Sequence, residues 1–432
     1  MKPGFKNFLA KGVFPIGGFS GPCKNGNDEI LADTITDEVF SLVKDCGINF
    51  IVGSNSYESE DGKRFVEMCN KYEIGSFVVD LRIQDAICNN DFSILEKNLK
   101  EWVDAFIDQP CCLGPFFIDE PNVQKFDILE KATKMFRSFG YEGFEPYINL
   151  LPMVQEGPID MCGKVTYEEY LSQFIERMKL PFTSYDGYPL GTGLDMHCRT
   201  NGNFYFQTLN HQAVAAQKYG VPFWAYIECG GQWSADRIAY DNYLDEGQFN
   251  WNVNTCLAFG AKGLEYFTLV QPLIFYTPCK NSEISGLLGY TGKPNQWYYY
   301  AKRINQFVQE NSDFFLNSVL KTVIFLGASQ QYPAYGGVVS SSVGYEELDY
   351  SESDHGIISV FEWNGKTCYY VVNNSFTECG YVGMRFKKEY DFTIIDMHGK
   401  RKPDCVELRE KNCLLMTNIP KGGAVIVCIE EK

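Results

Sequence analysis

Short apolar or β-branched runs alternate with longer amphipathic stretches over the first 310 residues of the chain. The runs Val13–Phe19, Ile48–Val52, Ser76–Leu81, Leu113–Asp119, Pro146–Leu151, Phe182–Asp186, Pro222–Glu228 and Gly263–Leu269 predict strands. Between them, apolar positions recur at helical spacing over 36–45, 61–72, 93–107, 122–139, 167–179, 205–219, 247–260 and 297–311. Thr36, Asp37 and Glu38 open the first helix with a cap and an acidic turn, and Gly47 closes it; Gly220 closes the sixth. Apolar strands each followed by a helix make a parallel sheet covered by helices. Eight such units in about 300 residues fit a (β/α)8 barrel. A doubly wound nucleotide-binding sheet is disfavoured, because Gly17–Pro22 after the first strand ends in proline instead of opening a helix.

Beyond residue 315 the helical period stops. Short strands are predicted at Val323–Phe325, Gly356–Trp363, Thr367–Val372, Tyr381–Phe386, Phe392–Ile395, Cys413–Thr417 and Ala424–Ile429. Asn364-Gly365 between two of them is a strong hairpin signal. The expectation is a barrel over 1–314 followed by an antiparallel β-sandwich over 315–432, the two packed closely because no linker composition separates them.

Composition narrows the function. Of 432 residues, 45% are apolar and 22% charged, as in an ordinary packed protein, and 15% are aromatic, enough to furnish a cleft for a flat ligand. The net charge of −17 makes nucleic acid and anionic membrane poor partners. Met1–Lys6 does not read as the start of a secretory signal, and no apolar run reaches membrane-spanning length. The 16 cysteines are singletons apart from Cys111-Cys112, with no C-x-x-C pair, and there are only four histidines. That predicts free thiols in a reducing cytoplasm and no metal site.

In a barrel, catalytic residues sit where strands end. The fourth predicted strand runs Gly114-Pro115-Phe116-Phe117-Ile118 directly into Asp119 and Glu120, and the seventh, Phe223-Trp224-Ala225-Tyr226-Ile227, ends in Glu228. Ending an apolar strand in carboxylates is costly unless they are used or paired. Strands four and seven face each other across a barrel mouth, and two opposed glutamates there suit glycoside hydrolysis. Without catalysis, Glu120 would be a helix N-terminal carboxylate and Glu228 a salt-bridged strand end.

Phe117–Pro121 and Tyr226–Glu228 resemble the two signatures of the clan A glycoside hydrolases, and Ala258–Thr268 resembles the eighth-strand region of bacterial members such as family 42-type β-galactosidases. The resemblance implies a retaining enzyme on β-linked oligosaccharides, with Glu120 as acid/base and Glu228 as nucleophile, and no cofactor. It implies that Tyr185 or Tyr188, after strand six, hydrogen-bonds the nucleophile. The family usually has Asn where Asp119 stands, against the sugar. Ser54-Asn55-Ser56-Tyr57 stands where some families place Arg, making Asn55 a substrate-contact candidate, and Tyr266 stands in a region where many members place Trp. Trp233, past the glycines after Glu228, could stack on a sugar face. Glu265 is expected to pair with a basic residue. Asp80 and Asp186 are strand-end carboxylates able to bind hydroxyls. The alternative reading is a catalytically silent glycan-binding protein on this scaffold, and the number of associating chains is not encoded in any motif.

Overall fold

The computed structural model describes residues 2–24, 33–53, 56, 58–140, 143–190, 204–229, 233–234, 237–238, 244–271, 286–331, 335–397 and 406–431. Eight parallel strands close into a barrel: β1 Ile16–Phe19, β2 Phe50–Val52, β3 Gly75–Val79, β4 Cys112–Asp119, β5 Tyr147–Leu150, β6 Thr183–Tyr185, β7 Phe223–Glu228 and β8 Leu264–Phe267. Each lies beside its sequence neighbour, and β8 closes on β1. All eight coincide with the apolar runs above, six of them trimmed at one or both ends, while β3 and β4 each begin one residue earlier than predicted.

Strand alternation sorts side chains into two cores. Phe50, Val52, Phe77, Val79, Leu113, Phe116, Tyr147, Trp224 and Tyr226 fill the barrel interior. Phe223, Ala225, Ile227, Tyr185 and Tyr266 face outward into the layer between sheet and helices. Two glycines make room for the interior rings. A Cβ on Gly17 would lie 2.1 Å from the Phe50 ring, and one on Gly263 would lie 2.5 Å from the Trp224 ring.

Sequence periodicity missed the plug at the amino-terminal end of the barrel. Helix Phe5–Leu9 inserts Phe5 and Phe8 among Phe50, Phe77, Phe182 and Trp224, with ring centroids 5.0–6.0 Å apart. Five residues are too few to show a helical period. Helices Leu81–Cys88 and Ser312–Asn317 and strands Leu348–Glu352 and Val406–Glu410 are likewise additions. The helix expected from residue 122 starts later: a 3₁₀ turn covers Val123–Lys125 and the α-helix begins at Phe126. Glu120 is therefore not a helix N-terminal carboxylate.

The carboxy-terminal part is a β-sandwich. Its six-stranded sheet runs, in spatial order, Val339–Ser340, Val319–Gly327, His355–Trp363, Lys366–Asn373, Ala424–Glu431, Tyr390–Asp396. The four-stranded sheet runs Leu348–Glu352, Gly380–Phe386, Cys413–Ile419, Val406–Glu410. Asn364 and Gly365, with φ of 52° and 74°, form the two-residue turn of a hairpin in which Trp363 pairs with Lys366. One face of the larger sheet packs on the smaller sheet. The other packs on the barrel helix Glu246–Ala258, where Tyr370 Oη lies 2.7 Å from Asn254 Oδ1 and Trp251 Nε1 donates to Asn374 Oδ1 at 2.6 Å. That helix is buried nearly all round, being covered by barrel and sandwich together.

The expectation of free thiols throughout needs correction. Cys368 and Cys428 face each other in the antiparallel ladder, with Cα atoms 4.1 Å apart, and form a disulfide. Their separation of 60 residues hid the pairing from the sequence. The eleven other described cysteines form no disulfide. No helix of the described residues is long and apolar enough to cross a membrane.

Candidate active site

Four adjacent strands, β4 to β7, build the site at the carboxyl end of the barrel. β4 delivers Asp119 and then Glu120, whose φ of +47° puts a non-glycine residue in the left-handed region. This turn breaks the strand at the carboxylate and leaves the Glu120 side chain exposed. The Glu120 N–H donates to the Asn149 carbonyl at 3.0 Å, which holds the strained residue in place.

Asn149 is the hub. It faces Asp119 on β4 and Ser184 on β6 in the parallel ladder. Its Nδ2 donates to Asp119 Oδ1 at 3.0 Å and to Asp186 Oδ1 at 3.1 Å, while its Oδ1 accepts from the Ser184 hydroxyl at 3.0 Å. The Ser184 contact fixes which way the amide points. Asp186 lies one residue past β6. Two carboxyl groups thus share one neutral amide.

Their electrostatics follow from that crowding. Loss of solvation pushes the Asp119 carboxyl up to about 6, opposed by the Asn149 hydrogen bond. Asp119 is exposed as a residue, but its carboxyl lies against protein on the Asn149 side. Burial raises Asp186 well above the carboxylate range, and the charges of Glu120 and Asp119 add to the effect.

β7 points Trp224, Tyr226 and Glu228 inward, as alternation predicts. Glu228 is 1% exposed. Its Oε2 accepts from the Leu190 N–H at 3.0 Å, and its own N–H donates to Asn252 Oδ1 at 3.0 Å. Its Oε1 has no partner among the described residues. Burial pushes this carboxyl up to about 8 against the Leu190 hydrogen bond. Burial raises the Tyr188 hydroxyl, and the charges of Asp186, Asp119, Glu120 and Glu228 add to the effect. Its ring packs on Phe267 with centroids 5.1 Å apart.

Beneath this layer, Glu265 of β8 is fully buried and meets hydroxyls instead of a cation. Tyr147 Oη lies 2.6 Å from its Oε1 and Ser184 Oγ lies 3.1 Å from it, and Tyr226 Oη lies 3.1 Å from Tyr147 Oη. Burial pushes Glu265 up to about 8, so it needs no basic partner at neutral pH.

Of the residues singled out from sequence, Asp119 ends β4 with Glu120 following it, Glu228 ends β7 and Tyr188 follows β6, all at the carboxyl end of the barrel. Tyr185 and Tyr266 face away from the site. Tyr185 lies on the outward face of β6 with its ring 6.2 Å from that of Phe223, and Tyr266 on the outward face of β8 is 2.5 Å from Asn305 Oδ1 and stacks on Phe249. Each is one position out of phase with the inward set. Asp80 caps helix Leu81–Cys88 and pairs with Arg82 at 2.9 Å. Trp233 is described as backbone only, paired with Ile238 in a two-residue ribbon, and Asn55 lies outside the described residues. Sequence reasoning missed Asn149, although it is the one polar residue of Tyr147–Leu150.

The architecture has solved counterparts. A glycoside hydrolase family 5 structure from Bacteroides vulgatus ATCC 8482 aligns over 96% of this chain and 89% of its own, with 12% identity and a TM-score of 0.56. A second structure, described as a glycoside hydrolase, aligns over 97% and 93%, with 10% identity and a TM-score of 0.59. At these identities the likeness establishes a shared fold, barrel and sandwich together. No protein-family model matches the chain, and no curated protein matches it in sequence.

Proposed function

We propose that this chain is a retaining glycoside hydrolase of the clan A type acting on β-linked oligosaccharides. The observation that carries the reading is the placement of Glu120 and Glu228 at the ends of β4 and β7, with the Tyr188 hydroxyl responding to both charges. Glu228, as carboxylate, attacks the anomeric carbon while Glu120 gives its proton to the departing glycosidic oxygen. Glu120 then takes a proton from water, whose oxygen displaces Glu228 from the sugar. Both roles are filled by side chains, so the reaction requires no cofactor. Retention requires the two carboxyl groups about 5–5.5 Å apart when substrate is bound. Among the described residues, eleven cysteines outside any disulfide against one disulfide support a reducing, cytoplasmic setting and short substrates.

The burial of Glu228 favours one other reading, a glycan-binding protein, since a protonated carboxyl is no nucleophile. A panel of α- and β-nitrophenyl glycosides, with Glu120→Gln and Glu228→Gln variants, decides between them. The enzyme reading expects turnover of a β-glycoside that both variants lose. Binding of oligosaccharides without turnover of any of them establishes the binding reading.

A further inference from the structure

We propose that Asn149 is a positioning residue for sugar recognition: Ser184 and Asp186 fix its amide on two sides, and the remaining N–H aims the Asp119 carboxyl at one hydroxyl of the substrate. This rests on the hydrolase reading above and adds to it a residue that touches no substrate itself.

The placement comes from the sheet. Asp119, Asn149 and Ser184 occupy one level of the β4–β5–β6 ladder. Asn149 and Ser184 are buried, whereas Asp119 stands exposed at the end of β4. An asparagine amide has two hydrogens on its nitrogen and none on its oxygen. Here one N–H goes to Asp186 Oδ1 at 3.1 Å and the other to Asp119 Oδ1 at 3.0 Å, while Oδ1 accepts from the Ser184 hydroxyl at 3.0 Å. Turned over, the amide would set its oxygen against two carboxyl oxygens. Asp186 and Ser184 are buried and fix the plane of the amide. Asp119 follows that plane, with one oxygen held and acceptor capacity left for a hydroxyl donor.

Ser184 is seated in turn by the layer beneath it. Its Oγ lies 2.7 Å from Tyr147 Oη and 3.1 Å from Glu265 Oε1, and Tyr147 Oη lies 2.6 Å from the same Oε1. Contacts no longer than 3.1 Å therefore run from Glu265 on β8 through Ser184 and Asn149 to Asp119 on β4. Fully satisfied buried networks of this kind hold one geometry.

The backbone and side chain of Asn149 do separate work. Its carbonyl accepts from the Glu120 N–H at 3.0 Å, and a side-chain substitution leaves that bond in place. Loss of the amide accordingly disturbs recognition of the sugar and spares the acid.

The test measures kcat/KM on a β-glycoside that wild type turns over and on its mono-deoxy analogues, each lacking one hydroxyl. The ratio of parent to analogue does not depend on how much protein is folded. Wild type is expected to prefer the parent at least about tenfold at the hydroxyl that meets Asp119, which Asp119→Ala identifies by losing that preference. Asn149→Ala should lose most of the preference at the same hydroxyl, and the double variant should match Asp119→Ala within about twofold, because the amide acts through the carboxyl. Ser184→Ala keeps Asn149, removes its anchor, and should lower the preference too. The ratio of dinitrophenyl to alkyl leaving groups, which reads the acid, should stay within about twofold of wild type in Asn149→Ala. A merely structural asparagine would lower every rate and leave the hydroxyl preference alone. The proposal is overturned if Asn149→Ala, or Ser184→Ala where the former does not fold, keeps the wild-type preference. It is overturned equally if Asp119→Ala loses preference at no hydroxyl, or if Asn149→Ala raises the leaving-group ratio about tenfold, which places its effect on Glu120. Wild-type inactivity on every glycoside would overturn the hydrolase reading instead. Calorimetry with β-linked disaccharides and their deoxy analogues then puts the same comparison to Asn149, and absence of binding overturns both.

Discussion

The Leu190 N–H reaches Glu228 Oε2 at 3.0 Å, and it is the one hydrogen bond described for a carboxyl otherwise removed from water. One neutral donor does not replace the hydration of a carboxylate, so Glu228 binds its proton up to about 8. The residue assigned the nucleophilic role is thus at its weakest in acid.

The first prediction follows directly. In the free enzyme kcat/KM climbs as pH rises toward about 8, because each step up enlarges the fraction of ionised Glu228. A pH–rate profile on an activated glycoside checks it. An optimum at pH 5 with decline by pH 7 would show that Glu228 ionises far lower than its burial dictates.

Stability should run the opposite way. Unfolded, Glu228 titrates near ~4.3, and folded near 8, so the folded state holds the extra proton between those values. Folding stability contributed by this group is therefore complete below ~4.3 and is lost as pH rises to about 8. Glu228→Gln removes the penalty. Its melting temperature is expected to exceed that of wild type at pH 8, the gap closing toward pH 4.5. Equal melting curves at both pH values would contradict the burial argument.

The tyrosines separate by face. Tyr188→Phe removes a hydroxyl within the electrostatic reach of Asp186, Asp119, Glu120 and Glu228 and is expected to lower kcat/KM by about tenfold or more. Tyr185→Phe and Tyr266→Phe remove hydroxyls from the outer layer, that of Tyr266 lying 2.5 Å from Asn305 Oδ1, and should leave kcat/KM within about twofold while lowering the melting temperature. Steady-state kinetics beside thermal melts distinguish the two groups. A Tyr185 variant defective in kcat/KM but not in stability would place that residue in the wrong layer.

Inside the barrel, Glu265→Gln should be nearly neutral for stability at pH 7, since the carboxyl is protonated there and the amide retains partners for the hydroxyls. Glu265→Leu takes from the Tyr147 hydroxyl its 2.6 Å acceptor and from Ser184 one of its partners, and should cost about 1–3 kcal/mol. Urea titrations of both variants measure the difference. A leucine variant as stable as the glutamine one would deny the hydroxyl layer its structural part.

Much of this arrangement was legible in the chain because buried parallel strands are short and continuously apolar. Trp224, Tyr226 and Glu228 could be assigned inward together since they share one parity on a six-residue strand. Glu120 stood out because Phe116–Ile118 leads straight into it. Parity failed on the shorter strands, where three or four residues do not reveal which face is the interior, so Tyr185 and Tyr266 were drawn toward the mouth. Asn149 and Leu190 escaped for a different reason. The first acts as a bridge between strands and the second through its backbone N–H, and neither leaves a mark on its own stretch of sequence. The Phe5–Leu9 plug escaped because its partners are scattered over β2, β3, β7 and Phe182.

The central claim is that a sugar becomes covalently attached to Glu228. The most direct measurement incubates the protein with a 2-deoxy-2-fluoro dinitrophenyl β-glycoside of the sugar found in the panel, then maps the adduct by peptide mass spectrometry. The account predicts one sugar equivalent on the peptide containing Glu228, accumulating in wild type and absent in Glu228→Gln. An enzyme that turns over the parent glycoside yet carries the label on another carboxylate, or carries none, would contradict it.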